Sequence, residues 1–148
     1  MKYSQATNYA LHTMLYFVAL SPGTTIGVQK LAELQGVSPA YLSKILSRLV
    51  KAGLIESTSG INGGYRLTSN RADLSFLDVI QAIEGTASLF HCGDGLNHQT
   101  CLIQGVMTDA EHLMEDYLKR RKLIELIERR SGLPRHLEQM LREQEMPT

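Results

Sequence analysis

Between residues 28 and 67 the chain runs through two short apolar periods and two short strands, and a glycine stands at each junction. Few folds accept that order. Val28, Leu31, Ala32 and Leu34 give one face to a helix over Val28–Gln35, and Gly36 follows where a helix end favours a left-handed residue. Ser38 then restarts the chain as an N-cap, with Pro39 at the first helical position, where its missing N–H costs nothing. Leu42, Ile45, Leu46, Leu49 and Val50 mark the inner face of a helix running to about Ala52, and Gly53 closes it. Leu54 to Thr58 and Tyr65 to Leu67 read as strands around the Gly-rich turn 59–64. Two helices joined by a glycine turn and followed by a hairpin predict a winged helix–turn–helix.

The flanks are helical, so the fold class is mainly α with a small β-hairpin wing. Ser4 caps a first helix, with Ala6, Tyr9, Ala10, Met14, Phe17 and Val18 in one stripe, before the turn Ser21-Pro22-Gly23. Ser75 and Asp78 form a capping box for a helix over Phe76–Glu84. Residues 86–101 have no period and hold both cysteines. From Leu102 to Arg130 a long helical pattern follows, interrupted at Arg120. Ile103, Val106, Ala110, Leu113, Tyr117, Ile124 and Ile127 form a seam along about 43 Å, more than a small domain needs, which predicts a partner helix and a homodimer. A last amphipathic helix is expected over Arg135–Gln144. The expected division is residues 1–70 for the winged unit, 71–101 for a linking helix and cysteine-containing sensor loop, and 102–148 for the dimerisation and C-terminal helices.

Composition narrows the function. The 148 residues carry 15 basic and 15 acidic groups, so the chain is not a basic nucleic-acid glue. The neutrality hides a gradient: residues 1–70 hold six cations and two carboxylates, a net of +4, and the remainder is −4. Two Cys do not make a disulfide scaffold, and the apolar run Met14 to Leu20 is too short to cross a bilayer. With no leader pattern, the expectation is a cytoplasmic protein with reduced thiols and no membrane partner. No metalloprotease, phosphate-loop or nucleophile-elbow motif is present, and the expectation is that the protein is not an enzyme.

The outer face of the 39–52 helix carries Tyr41, Lys44, Arg48 and Lys51, flanked by Ser43 and Ser47, and no carboxylate lies between Ser38 and Ala52. A merely solvated face normally mixes signs in Glu–Lys pairs. Long donors on a bare cationic helix suit a major groove, and a capped helix start suits a phosphate. The Gly-rich hairpin tip, with Arg66 beside it, lets backbone approach a second groove. These features point to double-stranded DNA. The alternative is a winged-helix protein-interaction module that regulates a partner without reading DNA, which a shallow salt dependence of binding would reveal.

The start Met-Lys-Tyr-Ser, the run Ser38 to Leu46, the stretch Leu49 to Leu54, the wing Asn62-Gly63-Gly64-Tyr65-Arg66-Leu67, and the segments Leu77 to Ile80 and Ile83-Glu84-Gly85 together resemble the Rrf2 family of bacterial transcription regulators. The resemblance spans nearly the whole chain. It implies a dimeric repressor or activator, probing the major groove with the third helix and the minor groove with the wing, on a palindromic operator. Ser38, Ala40, Tyr41, Ser43 and Lys44 would face bases or phosphates, and Ser59, Asn62, Gly63, Gly64, Tyr65 and Arg66 would belong to the wing. Two positions depart from the family: Ser43 stands where Glu or Gln is common, and Ser59-Gly60-Ile61 replaces Arg-Gly-Pro. Several members bind an iron–sulfur cluster through three loop Cys. Here Cys92 and Cys101 lie in that loop, Met107 stands at the usual third Cys, and Asn8 stands where some members recruit an acid. Three readings stay open: a cluster completed by His91, His98 or His12; two free thiols; and a disulfide switch. A zinc site from His91, Cys92, His98 and Cys101 is disfavoured, because adjacent residues point apart in extended chain. The cofactor is thus left unknown, and the effector is a redox signal or a small molecule.

Overall fold

The computed structural model describes residues 2–68, 70–93, 101–130 and 132–145. The elements are α1 (Gln5–Ala19), α2 (Val28–Gln35), α3 (Pro39–Lys51), β1 (Ile55–Thr58), β2 (Gly64–Leu67), α4 (Phe76–Glu84), α5 (Leu102–Arg120), α6 (Ile124–Arg129) and α7 (Arg135–Glu145). The expected mainly helical architecture with one antiparallel hairpin is present.

α1 is the central post. Its second half, Thr13 to Ala19, is buried on every side, packed among α3, α4, α6 and α7. One apolar core runs through Met14, Leu31, Leu42, Leu46, Ile55, Val79, Leu123 and Leu137, joining the helix–turn–helix to α6 and α7. The start of α1 is pinned by a carboxylate. Glu84 Oε1 accepts from the Ser4 N–H at 2.7 Å, the Ser4 hydroxyl at 2.9 Å and the Thr7 hydroxyl at 2.6 Å. A negative charge suits a helix N-terminus, and these bonds hold the Glu84 carboxyl below its ordinary range, the Thr7 hydroxyl contributing most and the Ser4 backbone next. A lowered folded pKa adds stability that is complete above the unfolded value of 4.5 and is lost as pH falls through the folded value. Glu84→Gln is therefore expected to flatten the acid limb of an unfolding titration followed by circular dichroism. An unchanged limb would remove Glu84 from this role.

The hairpin is held from both sides. β1 pairs with β2 in the register Ile55–Leu67, Glu56–Arg66, Ser57–Tyr65 and Thr58–Gly64. Ile26 adds a bridge on the other edge of β2: its N–H donates to the Tyr65 carbonyl and its carbonyl accepts from the Tyr65 N–H, both at 2.9 Å. This rung bears on the wing glycines. Gly64 has φ +147°, and a Cβ there would stand 2.8 Å from the Ile26 carbonyl oxygen. A Cβ on Gly63 would collide with the Thr58 carbonyl. The chain's own backbone already requires a glycine at both positions.

The long C-terminal helix is also corrected. α5 ends at Arg120, and Arg121 turns extended, at φ −84° and ψ 123°. There the chain bridges to the start of α4: the Phe76 N–H donates to the Arg121 carbonyl and the Leu123 N–H to the Leu74 carbonyl, each at 3.0 Å. The turn buries Leu123 and Ile127 in the chain's own core, and Ile124 packs beside them. Ile124 and Ile127, expected on the partner-facing seam, are thus spent within one subunit. The remaining seam is the 19 residues of α5, about 28 Å long.

Candidate nucleic-acid interface and cysteine pair

α3 begins at Ser38, whose hydroxyl accepts from the Tyr41 N–H at 3.2 Å. At about 100° per residue the buried Leu42, Ile45, Leu46 and Leu49 take one side. Ala40, Lys44, Ser47 and Lys51 take the opposite side, and all four are exposed. Ser43 is half-buried at the flank. Tyr41 and Arg48 are seven residues apart, so they share one edge between the two sides. The Tyr41 ring stands edge-on to Tyr9 of α1, with centroids 5.8 Å apart and an interplanar angle of 84°. Arg48 Nη1 donates to the Ile83 carbonyl at the end of α4, at 3.4 Å. Both side chains are exposed, as expected of the outward face, and each also leans on its own subunit. The outermost strip is Ala40–Lys44–Ser47–Lys51, with Ser47 at its middle rather than on its flank.

In the wing, Ser59, Gly60 and Asn62 are exposed, and Ile61 is fully so. The Asn62 carbonyl accepts from the Thr25 hydroxyl at 3.1 Å. Tyr65 is half-buried against the core, so its part is to anchor the wing. Arg66 pairs across the strands with Glu56 at 2.6 Å. An exposed pair of this kind is worth about 1 kcal/mol or less, so a phosphate can displace the carboxylate.

The two cysteines are brought together. Cys101 is the N-cap of α5, and its Sγ lies 3.4 Å from the Gln104 N–H and 2.9 Å from Cys92 Sγ. Both are thiols and half-buried. Either sulfur can carry the shared hydrogen, but the Gln104 N–H favours Cys101 as acceptor. The Cys92 contact, then the Gln104 N–H, lower the Cys101 pKa below the ordinary thiol value; the Cys101 contact raises that of Cys92.

Two α5 residues not singled out from sequence hold the loop in place. Gln104 Oε1 accepts from the Cys92 N–H at 2.8 Å, while its Nε2 donates to the Phe90 carbonyl and to Thr108 Oγ1, each at 3.1 Å. Buried Glu111 accepts from the Ser88 hydroxyl at 2.9 Å and the Leu89 N–H at 3.1 Å. They stand seven apart, on the helix side opposite Val106 and Leu113, a spacing that in sequence also fits an ordinary solvated face. His91 is exposed and shares a groove of about 480 Å³ with Gln104, Glu111 and His112. His12 accompanies Asn8 on α1, its Nδ1 lying 2.8 Å from the Asn8 carbonyl. His98 lies outside the described residues.

The far side of α5 is apolar and uncovered by the described residues. Ile103 is 65%, Val106 68% and Leu113 71% exposed, with Leu102, Ala110 and Tyr117 beside them. Contiguous apolar surface of this kind marks an interaction site in a soluble chain. No helix among the described residues is long and apolar enough to cross a membrane.

The family model for Rrf2, described as an iron-dependent transcriptional regulator, matches residues 3–129. The chain belongs to the Rrf2 family of transcriptional regulators. Among its Rrf2 relatives is the HTH-type transcriptional regulator IscR of Vibrio vulnificus, 32% identical over 130 residues, covering 86% of this chain and 77% of IscR. The HTH-type transcriptional regulator NsrR of Bacillus subtilis is 28% identical over 118 residues, covering 80% of each chain. The solved structure of CymR, the global cysteine regulator of B. subtilis, superposes with a TM-score of 0.67 at 24% identity, over 85% of this chain and 95% of that one. The expected family and the winged-helix fold are therefore both found. The iron in the Rrf2 description does not fit these residues as an all-cysteine iron–sulfur centre. A four-thiolate cluster needs four Cys, and the whole chain has two, with Met107 at the third position. Among the described residues no group of three or more His, Cys, Asp and Glu could hold a metal ion.

Proposed function

We propose that the protein is a cytoplasmic repressor that binds a palindromic operator in double-stranded DNA as a homodimer. The observation that carries this reading is the outward strip of α3. Four exposed positions, two of them Lys, stand opposite a fully buried aliphatic side, and no carboxylate interrupts them. A helix so disposed enters a major groove about 12 Å wide, with Lys44 and Lys51 reaching phosphate or base edges and Ser47 between them. Tyr41 and Arg48, braced from the side by Tyr9 and Ile83, flank the groove, and Ser38, Ala40 and Ser43 line the helix start.

The wing follows the strand into the neighbouring minor groove. Ser59, Asn62 and Arg66 supply polar contacts. Ile61 stands fully exposed at the tip; a bare aliphatic tip wedges against sugars or between base steps rather than reading charge. The α5 stripe Ile103, Val106, Ala110, Leu113 and Tyr117 meets its copy across a two-fold axis. Such a dimer sets the two α3 helices about 34–36 Å apart, one duplex turn.

Lys44→Ala tests the placement by fluorescence anisotropy against salt. If Lys44 neutralises one phosphate, the slope of log affinity against log salt falls by about one unit, and the loss is similar on operator and random duplex. A wild-type slope near zero would favour the protein-interaction module instead.

A further inference from the structure

We propose that Cys92 and Cys101 form a reversible intramolecular disulfide, in which Cys101 meets the oxidant and Cys92 resolves it. The chemistry goes beyond DNA reading and stands or fails separately from it. Its basis is placement. The sulfurs are already 2.9 Å apart, so a bond of about 2.05 Å needs a movement under an ångström. The approach is held by backbone and helix, not by the sulfurs alone. The Cys92 N–H is tied to Gln104 Oε1 and the Phe90 carbonyl to Gln104 Nε2, while Glu111 fixes Ser88 and Leu89. Four hydrogen bonds from two α5 side chains thus present the loop to the start of the same helix. With two Cys in the chain, the pair is too few for a four-thiolate cluster cradle.

The two sulfurs are not equivalent. Cys101 Sγ is the N-cap atom of α5 and accepts from the Gln104 N–H, so an electron pair on it faces the positive end of the helix. Cys92 has no helix start beneath it. With a hydroperoxide as oxidant, the Cys101 thiolate attacks one peroxide oxygen and the O–O bond breaks. Cys101 becomes a sulfenic acid, and the other oxygen leaves as an alcohol or as water, taking the thiol proton. Cys92 sulfur then attacks Cys101 sulfur, and the S–O bond breaks. Hydroxide leaves and takes the Cys92 proton to form water. Two thiols and one hydroperoxide give one disulfide, one alcohol or water, and one further water. A dithiol reductant reverses the state by exchange.

The test uses the reduced full-length protein and stoichiometric hydrogen peroxide, read by intact mass and by peptide mapping without reductant. The expected product is a monomeric chain lighter by two hydrogens, with the peptides of Cys92 and Cys101 linked, restored by dithiothreitol. In Cys92→Ser, dimedone should trap one sulfenic acid on Cys101. In Cys101→Ser, trapping on Cys92 should be at least tenfold slower. Linkage only between chains, no mass change, or faster trapping on Cys92 would each overturn the proposal. So would a stable cluster holding both sulfurs after anaerobic incubation with iron and sulfide. None of these readouts involves DNA, so a failure here leaves the operator reading intact, and the reverse also holds.

Discussion

The double substitution Val106→Glu with Leu113→Glu is expected to turn a dimer into a monomer at micromolar concentration and to weaken operator binding by about two orders of magnitude. Both side chains are more than two-thirds exposed in the single chain, so the substitutions remove little packing within the subunit. Circular dichroism and melting temperature measured on the monomer should therefore stay near those of the starting fold. In the dimer, four carboxylates would face one another across the axis, and like charges cannot be buried unpaired. Affinity falls because each winged unit then binds one half-site alone and loses the effective concentration its twin supplies. Analytical ultracentrifugation decides it: an unchanged dimer mass would move the interface off α5. The paired control Ile127→Ala separates the two classes of residue once treated as one seam. Ile127 is buried in the monomer, so it should cost about 2–5 kcal/mol of stability and leave self-association per folded chain unchanged.

Gly64→Ala is the second large effect. Its φ of +147° is a region that L side chains rarely adopt, and the new methyl would meet the Ile26 carbonyl oxygen at 2.8 Å, where backbone cannot step aside. The cost is about 1–3 kcal/mol, and the wing should detach from the 26–27 segment. Gly60→Ala is the comparison: φ is +100°, but nothing lies within 4 Å of the added carbon. Thermal melts should therefore rank Gly64→Ala below Gly60→Ala, with the Ile26 and Tyr65 amides losing hydrogen-exchange protection only in the former. Equal losses would mean that dihedral strain, not the close approach, accounts for the glycine.

Local signals made much of this fold legible. α2 and α4 run over the expected residues, because Gly36, Ser75, Asp78 and Gly85 are start and stop signals that act within one turn. The hairpin was read from its glycines for the same reason, although the close approach at Gly64 was not, since Ile26 lies 38 residues upstream. The break after Arg120 depended on tertiary pairing with residues 74–76, and an apolar period cannot say whether a self or a partner surface will cover it. At the interface, Lys44 and Lys51 were legible from charge pattern. The sideways lean of Tyr41 and Arg48 needed the positions of Tyr9 and Ile83. The cysteine approach was legible only as a possibility of chain length; Gln104 and Glu111, which create it, look in sequence like ordinary polar helix residues.

The rung between Ile26 and Tyr65 has a consequence for the kind of site this protein can recognise. It fastens the hairpin two residues before α2, which packs on α3, so hairpin and probing helix travel as one rigid caliper. A half-site then has a fixed internal length. Adding one base pair between its two points of contact displaces the second by about 3.4 Å and rotates it around the duplex, and no hinge inside the winged unit can absorb the change. Spacing within each half of the operator is therefore expected to be invariant among natural targets, while any tolerance in length is confined to the stretch between the halves.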